Sequence, residues 1–170
     1  MSNKRESQGV ALVALAGSAT ASLSPQTSIT IAVDTAYVAA QQGRNISQGI
    51  YMMDNRVRNG SKGEGTLELT TVCNDLDLVG FNVVPIDALA NLGDQVVITG
   101  FTVSQGSVFT AAGQPRQQAT PPAGEPLGAY WIGQVNNQGS QTYQIQIEVT
   151  VGQLQPVSYF INWDPFITAN

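Results

Sequence analysis

The fold class of this 170-residue chain is decided by its C-terminal stretch, Tyr159-Phe160-Ile161-Asn162-Trp163-Asp164-Pro165-Phe166-Ile167-Thr168. Large apolar residues recur at Tyr159, Ile161 and Trp163, which is the period-two pattern of a half-buried β-strand. Pro165 has no N–H and holds the residue before it extended, so it predicts the end, edge or bulge of that strand. We expect Trp163 to anchor the core, because large aromatic side chains dominate core burial.

Seven further segments alternate in the same way or are rich in β-branched residues. They are Ser28–Asp34, Gly49–Asp54, Gly65–Cys73, Asp77–Val84, Asp94–Ser104, Ala129–Val135 and Gln141–Val151, and Val157–Trp163 completes a set of eight. Helical signals are confined to Thr35–Gln42 and Pro85–Asn91. The pattern predicts an all-β fold: a single antiparallel β-sandwich of about eight strands with one or two short helices.

Three polar segments connect these strands. Asn74-Asp75 and Asn136-Asn137-Gln138-Gly139 carry turn residues, so each predicts that the two strands flanking it pair as a hairpin. The third segment, Gly106–Gly128, is long and rich in Gly and Pro. A loop of that length is typically functional or disordered.

Two terminal motifs carry a resemblance to a known family. Ile29-Thr30-Ile31-Ala32-Val33-Asp34-Thr35-Ala36-Tyr37 is a hydrophobic strand running into Asp-Thr-x-Tyr, and the C-terminal stretch ends in Trp-Asp-Pro-x-Ile-Thr. The chain resembles the AidA/PixA family of bacterial inclusion-body proteins in both. Gly63–Leu69 and Leu92–Val96 resemble that family's internal Gly-x-Gly-Thr and Gly-Asp elements. The resemblance marks as motif residues Asp34, Thr35, Tyr37, Trp163, Asp164 and Pro165.

The resemblance implies abundant, density-regulated production in a bacterium, accumulation in cytoplasmic inclusions, and a host-associated or virulence-linked role. Secretion or display at the cell surface is the alternative location. These expectations come from the resemblance. Composition independently supports only self-assembly.

The N-terminal segment, residues 1–27, precedes the predicted sandwich domain of residues 28–170. Its apolar run, Val10–Ala16, is too short to span a bilayer, which needs about 20 apolar residues. Ala19-Thr20-Ala21 follows with the spacing of a signal-peptidase site. An apolar run retained in the protein must pack on something, which favours an edge strand, a short helix or a strand exchanged with a neighbouring subunit. The candidate assembly residues are Val10, Leu12, Val13 and Leu15.

The surface chemistry of the chain favours self-contact over nucleic-acid binding. Charged residues make up 11% of the sequence, less than half of the usual share of about 25%. Gln (17) and Asn (11) supply much of the polarity instead. Weak charge repulsion tolerates close contact between copies. Past Lys62 the only basic residue is Arg116, so the basic stripe that nucleic acid requires is missing.

The sequence offers little for catalysis. Histidine is absent, which removes the commonest general base and metal ligand. Cys73 is the single cysteine, and we interpret it as a buried structural thiol. No enzymatic activity and no cofactor are expected. A hydrolase built on two carboxylates brought together by folding is the least favoured alternative.

Three sets of polar residues are candidate sites. Asn74, Asp75 and Asp77 offer oxygen ligands for Ca²⁺, although turn chemistry explains them equally well. Asp34 and Asp164 each follow an apolar strand, where they cap backbone N–H groups or share a polar site. A sugar-binding surface would combine aromatic faces with amides. Its candidate residues are Tyr130, Trp131, Asn136 and Asn137.

The sequence therefore predicts a non-enzymatic, self-assembling structural or interaction protein whose partner is another copy of itself. A carbohydrate-binding module with a glycan partner is the alternative. Glycan binding that requires Trp131 or Trp163 would separate the two.

Overall fold

The computed structural model describes residues 24–86, 93–152 and 154–170 of the chain. Those ranges contain one α-helix, α1 (Thr35–Ala40), and one 3₁₀ turn, Val57–Asn59. All their other regular secondary structure is β-strand. The strands are β1 (Thr27–Val33), β2 (Ile50–Asp54), β3 (Thr70–Cys73), β4 (Leu78–Pro85), β5 (Gln95–Gln105), β6 (Arg116–Gln117), β7 (Tyr130–Gln134), β8 (Gly139–Val151), β9 (Val157–Trp163) and β10 (Phe166–Ala169).

The strands form two sheets. Sheet A has the order β2-β1-β4-β7-β6, and sheet B has the order β3-β10-β8-β5. β9 also pairs with β8, through Ile145–Val151 of β8. β10 pairs with the Gly139–Thr142 end of the same strand. β9 and β10 therefore lie one after the other along one side of β8, and the break between them falls at Asp164-Pro165.

The all-β prediction is confirmed, and each of the eight predicted strands has an observed counterpart. The sheets are mixed, not purely antiparallel, since β1 pairs parallel with β4 and β10 pairs parallel with β3. β6 and β10 bring the described strands to ten, against about eight expected.

Both hairpin predictions are wrong. β3 and β4, which flank Asn74-Asp75, lie in different sheets, and so do β7 and β8, which flank Asn136–Gly139. In each case the turn residues reverse the chain across the core, from one sheet to the other. Turn chemistry predicts a change of direction and leaves the pairing partner open.

The core lies between the two sheets. Alternate residues of β1 and β4 face alternate residues of β8, as the period of two requires. At its centre the rings of Phe81 and Phe101 have centroids 4.8 Å apart, and the Tyr143 ring lies 5.8 Å from Phe81. Trp163 is 9% exposed, which confirms it as a core anchor.

Predictions for the segment before the domain lie outside the described residues. These include the signal sequence, the exchanged strand, and the candidate assembly residues Val10, Leu12, Val13 and Leu15. Most of the second predicted helix also lies outside them. In the described part of the chain, no helix combines the length and the apolar character that crossing a bilayer requires.

Candidate functional site

The N-terminal motif, Asp34-Thr35-Ala36-Tyr37, connects β1 to α1 and has a structural role. The Asp34 carboxylate caps α1 by accepting a 2.8 Å hydrogen bond from the Tyr37 N–H, and the Asp34 N–H donates to the Gly49 carbonyl at 2.8 Å. The Tyr37 ring lies so close to Gly49 that a Cβ there would stand 2.6 Å from its Cδ1. Thr35 is fully buried and donates a 2.6 Å bond to Asp94. The motif thus fixes the turn from β1 into α1.

The C-terminal motif is also structural. The Trp163 indole N–H donates to the sulfur of Met52 at 3.1 Å, which joins β9 of sheet B to β2 of sheet A. The Asp164 carboxylate accepts a 3.0 Å bond from the Gln144 side chain, and the Pro165 carbonyl accepts one from the Tyr143 N–H at 3.2 Å. Asp34 and Asp164 therefore bind separate partners in the described structure.

Asp77, one of the candidate calcium ligands, is held in an ion pair. Its Oδ2 atom accepts bonds from the Arg56 guanidinium at 2.6 Å, the Thr27 hydroxyl at 3.0 Å and the Asn74 N–H at 3.0 Å. The side chains of Arg56 and Asp77 are 15% and 10% exposed. Asp75 is exposed in the adjacent turn. Within the described ranges no group of three or more Cys, Asp or Glu side chains is arranged to hold a metal; calcium binding stays a prediction.

The four candidate sugar-binding residues are split between the two ends of β7. Trp131 packs on Phe101 with centroids 5.4 Å apart, and its indole N–H donates to the Gly128 carbonyl at 3.0 Å. Asn136 lies beyond the other end of β7, on the order of 15 Å away along an extended strand. Its side-chain oxygen accepts from Thr110, and Asn137 donates to the Ser107 carbonyl.

Tyr130 lies on the opposite face of β7 from Trp131, since successive strand residues alternate faces. Burial raises the pKa of its phenol above the ordinary value, and the nearby Glu125 carboxylate raises it further. Tyr130 and Trp131 therefore offer no shared aromatic platform.

Two carboxylates that the sequence did not connect meet beside the Gly-rich turn after the 3₁₀ segment. The Asp54 N–H donates to Oε2 of Glu64 at 3.1 Å. Glu64 is exposed, but slight desolvation raises its pKa above the ordinary value; the Asp54 N–H lowers the pKa, and the Asp54 carboxylate raises it further. Their contact was missed because nine residues that include a 3₁₀ turn, and no strand or α-helix, separate them.

Cys73 is a structural thiol, as expected. It is buried and donates a 3.4 Å hydrogen bond to the Thr168 carbonyl of β10. Burial, and then the Asp77 carboxylate, raise the pKa of the thiol to about 12. A thiol that stays protonated is a poor nucleophile.

The surface that stands out lies along β9. Phe160 is 68% exposed, Val157 50% and Leu154, just before the strand, 97%. We call these three residues the β9 surface. No charged residue occurs between Leu154 and Trp163. Successive strand residues alternate faces, so Phe160 lies on the outer face of sheet B and Val157 on the face that carries Ile161. The stretch as a whole combines exposed apolar surface with an absence of charge, which makes it a candidate interaction site.

Amides border Phe160 on the outer face of sheet B. Asn162 lies opposite Gln146 in the pairing of β9 with β8, and Phe160 lies opposite Glu148. The Gln146 side chain donates to that of Gln144 at 3.4 Å. Sequence reasoning identified β9 but missed this surface. The available signal was that Phe160 alternates with buried residues in a stretch without charge.

Comparison with solved structures shows the fold. The crystal structure of inclusion body protein PixA from Burkholderia cenocepacia J2315 matches with a TM-score of 0.64 and 16% sequence identity, over 89% of this chain and all of that one. The chain therefore has a PixA-like fold, and the resemblance seen in the terminal motifs is confirmed at the level of fold.

Comparison by sequence places the chain in a family. No curated protein matches it. Residues 25–155 match the family model described as "Domain of unknown function (DUF8788)". The matched region runs from just before β1 to the turn before β9. The chain therefore belongs to the DUF8788 family of domains of unknown function.

Proposed function

We propose that this protein is a non-enzymatic structural protein that self-assembles, of the AidA/PixA inclusion-body type. The β9 surface carries the proposal, because it leaves large apolar side chains in water on a stretch that has no charge to keep copies apart. The likeness of the fold to a protein named as an inclusion body protein supports it. Bacterial cytoplasmic inclusions are the proposed location, with secretion or cell-surface display as the alternative. A host- or virulence-associated role is part of the same proposal.

The proposal includes a contribution from the N-terminal segment. Val10, Leu12, Val13 and Leu15 would bury their side chains on a neighbouring subunit by strand addition. Deletion of residues 1–21 removes these side chains and leaves β1, which begins at Thr27, intact. We expect the deletion to reduce the size of the assembly without unfolding the domain.

Negative-stain electron microscopy of the purified full-length protein tests self-assembly directly. Filaments, rings or lattices are the expected result, and light scattering of the same sample should show species far larger than 18.0 kDa. The deletion variant is imaged in parallel. Small uniform particles at every concentration would contradict the proposal.

Carbohydrate binding is the second candidate function. The observation that favours it is the amide-rich outer face of sheet B, where Gln144, Gln146 and Asn162 lie near the exposed ring of Phe160. The residues first considered for this role support it less, because Trp131 packs inward and Trp163 is in the core. A glycan array with the wild type and Phe160→Ala separates the functions. Binding lost in the variant would favour a glycan site at Phe160.

A further inference from the structure

The main-chain hydrogen bonds of sheet B reveal which residues of β9 face away from β8. The Tyr143 N–H of β8 donates to the Pro165 carbonyl, so it points toward the side of β8 where β9 and β10 lie. Main-chain groups alternate between the two sides of a strand. The N–H groups of Ile145, Ile147 and Val149 therefore also point toward β9. Their partners in β9 are Trp163, Ile161 and Tyr159, which bond back to β8.

The intervening residues Ser158, Phe160 and Asn162 therefore point their N–H and C=O groups away from β8. β10 gives an independent check, because the Phe166 N–H faces the same way and donates to the Leu69 carbonyl beside β3 at 3.0 Å. The pairing with β3 stops there. Among the described residues, no strand continues it along β9.

Nothing in the sequence of β9 protects this edge. Proteins commonly guard open edges with Lys, an inward charge, a bulge or a proline within the strand. The pairing of β9 with β8 is regular over seven residues and free of bulges, the strand has no charged residue, and Pro156 precedes it. Phe160 stands exposed at its centre. Among the described residues, the edge therefore leaves its main-chain groups available to another strand.

We propose that this strand is β9 of a second copy, paired antiparallel about a two-fold axis at Phe160. This inference rests on the proposed self-assembly and names its contact. The register that pairs all of Val157–Trp163 with its copy is centred on residue 160, and Phe160 is one of the residues whose main-chain groups face outward. Each Phe160 then lies opposite its counterpart, and Ser158 lies opposite the partner copy's Asn162.

A second copy fits this edge because identical strands running antiparallel present complementary donors and acceptors to each other. The chain carries a net charge of −5, which favours repulsion between copies. β9 itself adds no charge to the contact, and the one carboxylate paired with it is that of Glu148, opposite Phe160. Pairing joins the two B sheets into one continuous sheet and covers the Phe160 rings.

Sedimentation velocity on the full-length protein, over a range of concentrations, tests the pairing with Phe160→Lys and Phe160→Glu. Each variant places like charges opposite one another and removes the apolar contact, so we expect two-copy association to weaken by roughly tenfold to a hundredfold. An equimolar mixture of the two variants places Lys opposite Glu and should restore association. Circular dichroism confirms that each variant is folded.

Phe166→Lys is the matched control. Phe166 is 40% exposed and belongs to β10, whose outer side is already bonded to β3. We expect the Phe166→Lys variant to associate as strongly as the wild type. Association unaffected by Phe160→Lys would overturn the β9 pairing and leave self-assembly standing. If Phe160→Lys and Phe160→Glu both fail to associate and their mixture also fails to associate, the two-fold register is overturned. That is the result expected if Val10–Ala16 of a second copy pairs with the edge instead of β9. A wild type that is monomeric throughout would overturn both proposals.

Discussion

The hydroxyl of Thr35 donates a 2.6 Å hydrogen bond to Oδ2 of Asp94, which joins the first turn of α1 to the residue before β5. The other oxygen of Asp94 accepts a 3.0 Å bond from the Gly152 N–H, just after β8. One carboxylate thus connects the end of β1 in sheet A to two strands of sheet B. Both residues belong to motifs that the sequence singled out, and their contact gives those motifs a structural reason.

Thr35→Val should destabilise the protein, because the variant keeps the shape of the side chain and removes a hydrogen bond to a charged group. The expected loss is about 1.5–3 kcal/mol in the free energy of unfolding, measured by urea denaturation. Thr150→Val is the control, since the Thr150 hydroxyl bonds to Ser158 at the surface. The control should change stability by less than about 0.5 kcal/mol. Equal effects of the two variants would contradict the assigned role of Thr35.

Asp77→Asn should be more damaging, because it leaves the Arg56 guanidinium, 2.6 Å away, without its counter-charge. Removing one partner of a buried ion pair costs about 3–5 kcal/mol, and the slight exposure of this pair favours the lower end. Asp75→Asn removes the same charge two residues earlier from an exposed position. The control should cost less than about 0.5 kcal/mol by the same urea denaturation. If Asp77→Asn lowers the free energy of unfolding only slightly, water must solvate the Arg56 guanidinium in place of the lost carboxylate.

The predictable part of the fold is the part encoded by local alternation. Val157–Trp163 was predicted with its observed bounds, because buried Ile161 and Trp163 alternate with exposed neighbours. β10 was missed because Pro165 signals the end of a strand, and the sequence does not show that the chain resumes its path beside β8. The parallel pairings of β1 with β4 and β10 with β3 join residues at least 52 positions apart, as Thr27 and Val79 are, so no local pattern records them.

The β9 surface could not be predicted either, because it too depends on which distant segments pair. Phe160 has the sequence signature of one face of a strand, and its exposure depends on what covers that face. The open edge of β9 arises because β3 stops at the level of β10. That is a property of the assembled sheet, which a seven-residue pattern does not contain.

Glu64 should make stability depend on pH in the acid range. Slight desolvation of this exposed side chain raises its pKa in the folded protein above the ordinary value of 4.5, the Asp54 N–H partly offsets that increase, and the Asp54 carboxylate raises the pKa further. The folded state therefore binds the proton more tightly than the unfolded chain. This contribution is greatest at low pH and falls as pH rises from 4.5 through the raised pKa.

Glu64→Gln should remove that contribution. Compared with the wild type, the free energy of unfolding should vary less with pH just above 4.5, and at pH 7 it should be equal or higher by a few tenths of a kcal/mol. Glu68→Gln, which leaves the contact with Asp54 in place, is the control. Identical pH profiles for wild type and Glu64→Gln, by thermal unfolding between about pH 4 and 7, would refute the role of this pair.

Cys73 should be unreactive until the protein unfolds. Burial and the Asp77 carboxylate raise the pKa of its thiol to about 12, so almost none is thiolate at pH 8, where a free cysteine with a pKa near 8.5 reacts readily. We expect labelling by a thiol reagent to be at least about a thousandfold slower in the native protein than in guanidinium, because β3 must first separate and expose the buried thiol. Fast labelling with an intact circular dichroism spectrum would show that β3 separates locally from β10. The open edge of sheet B would then extend past β9, and the two-fold contact would no longer be confined to Val157–Trp163.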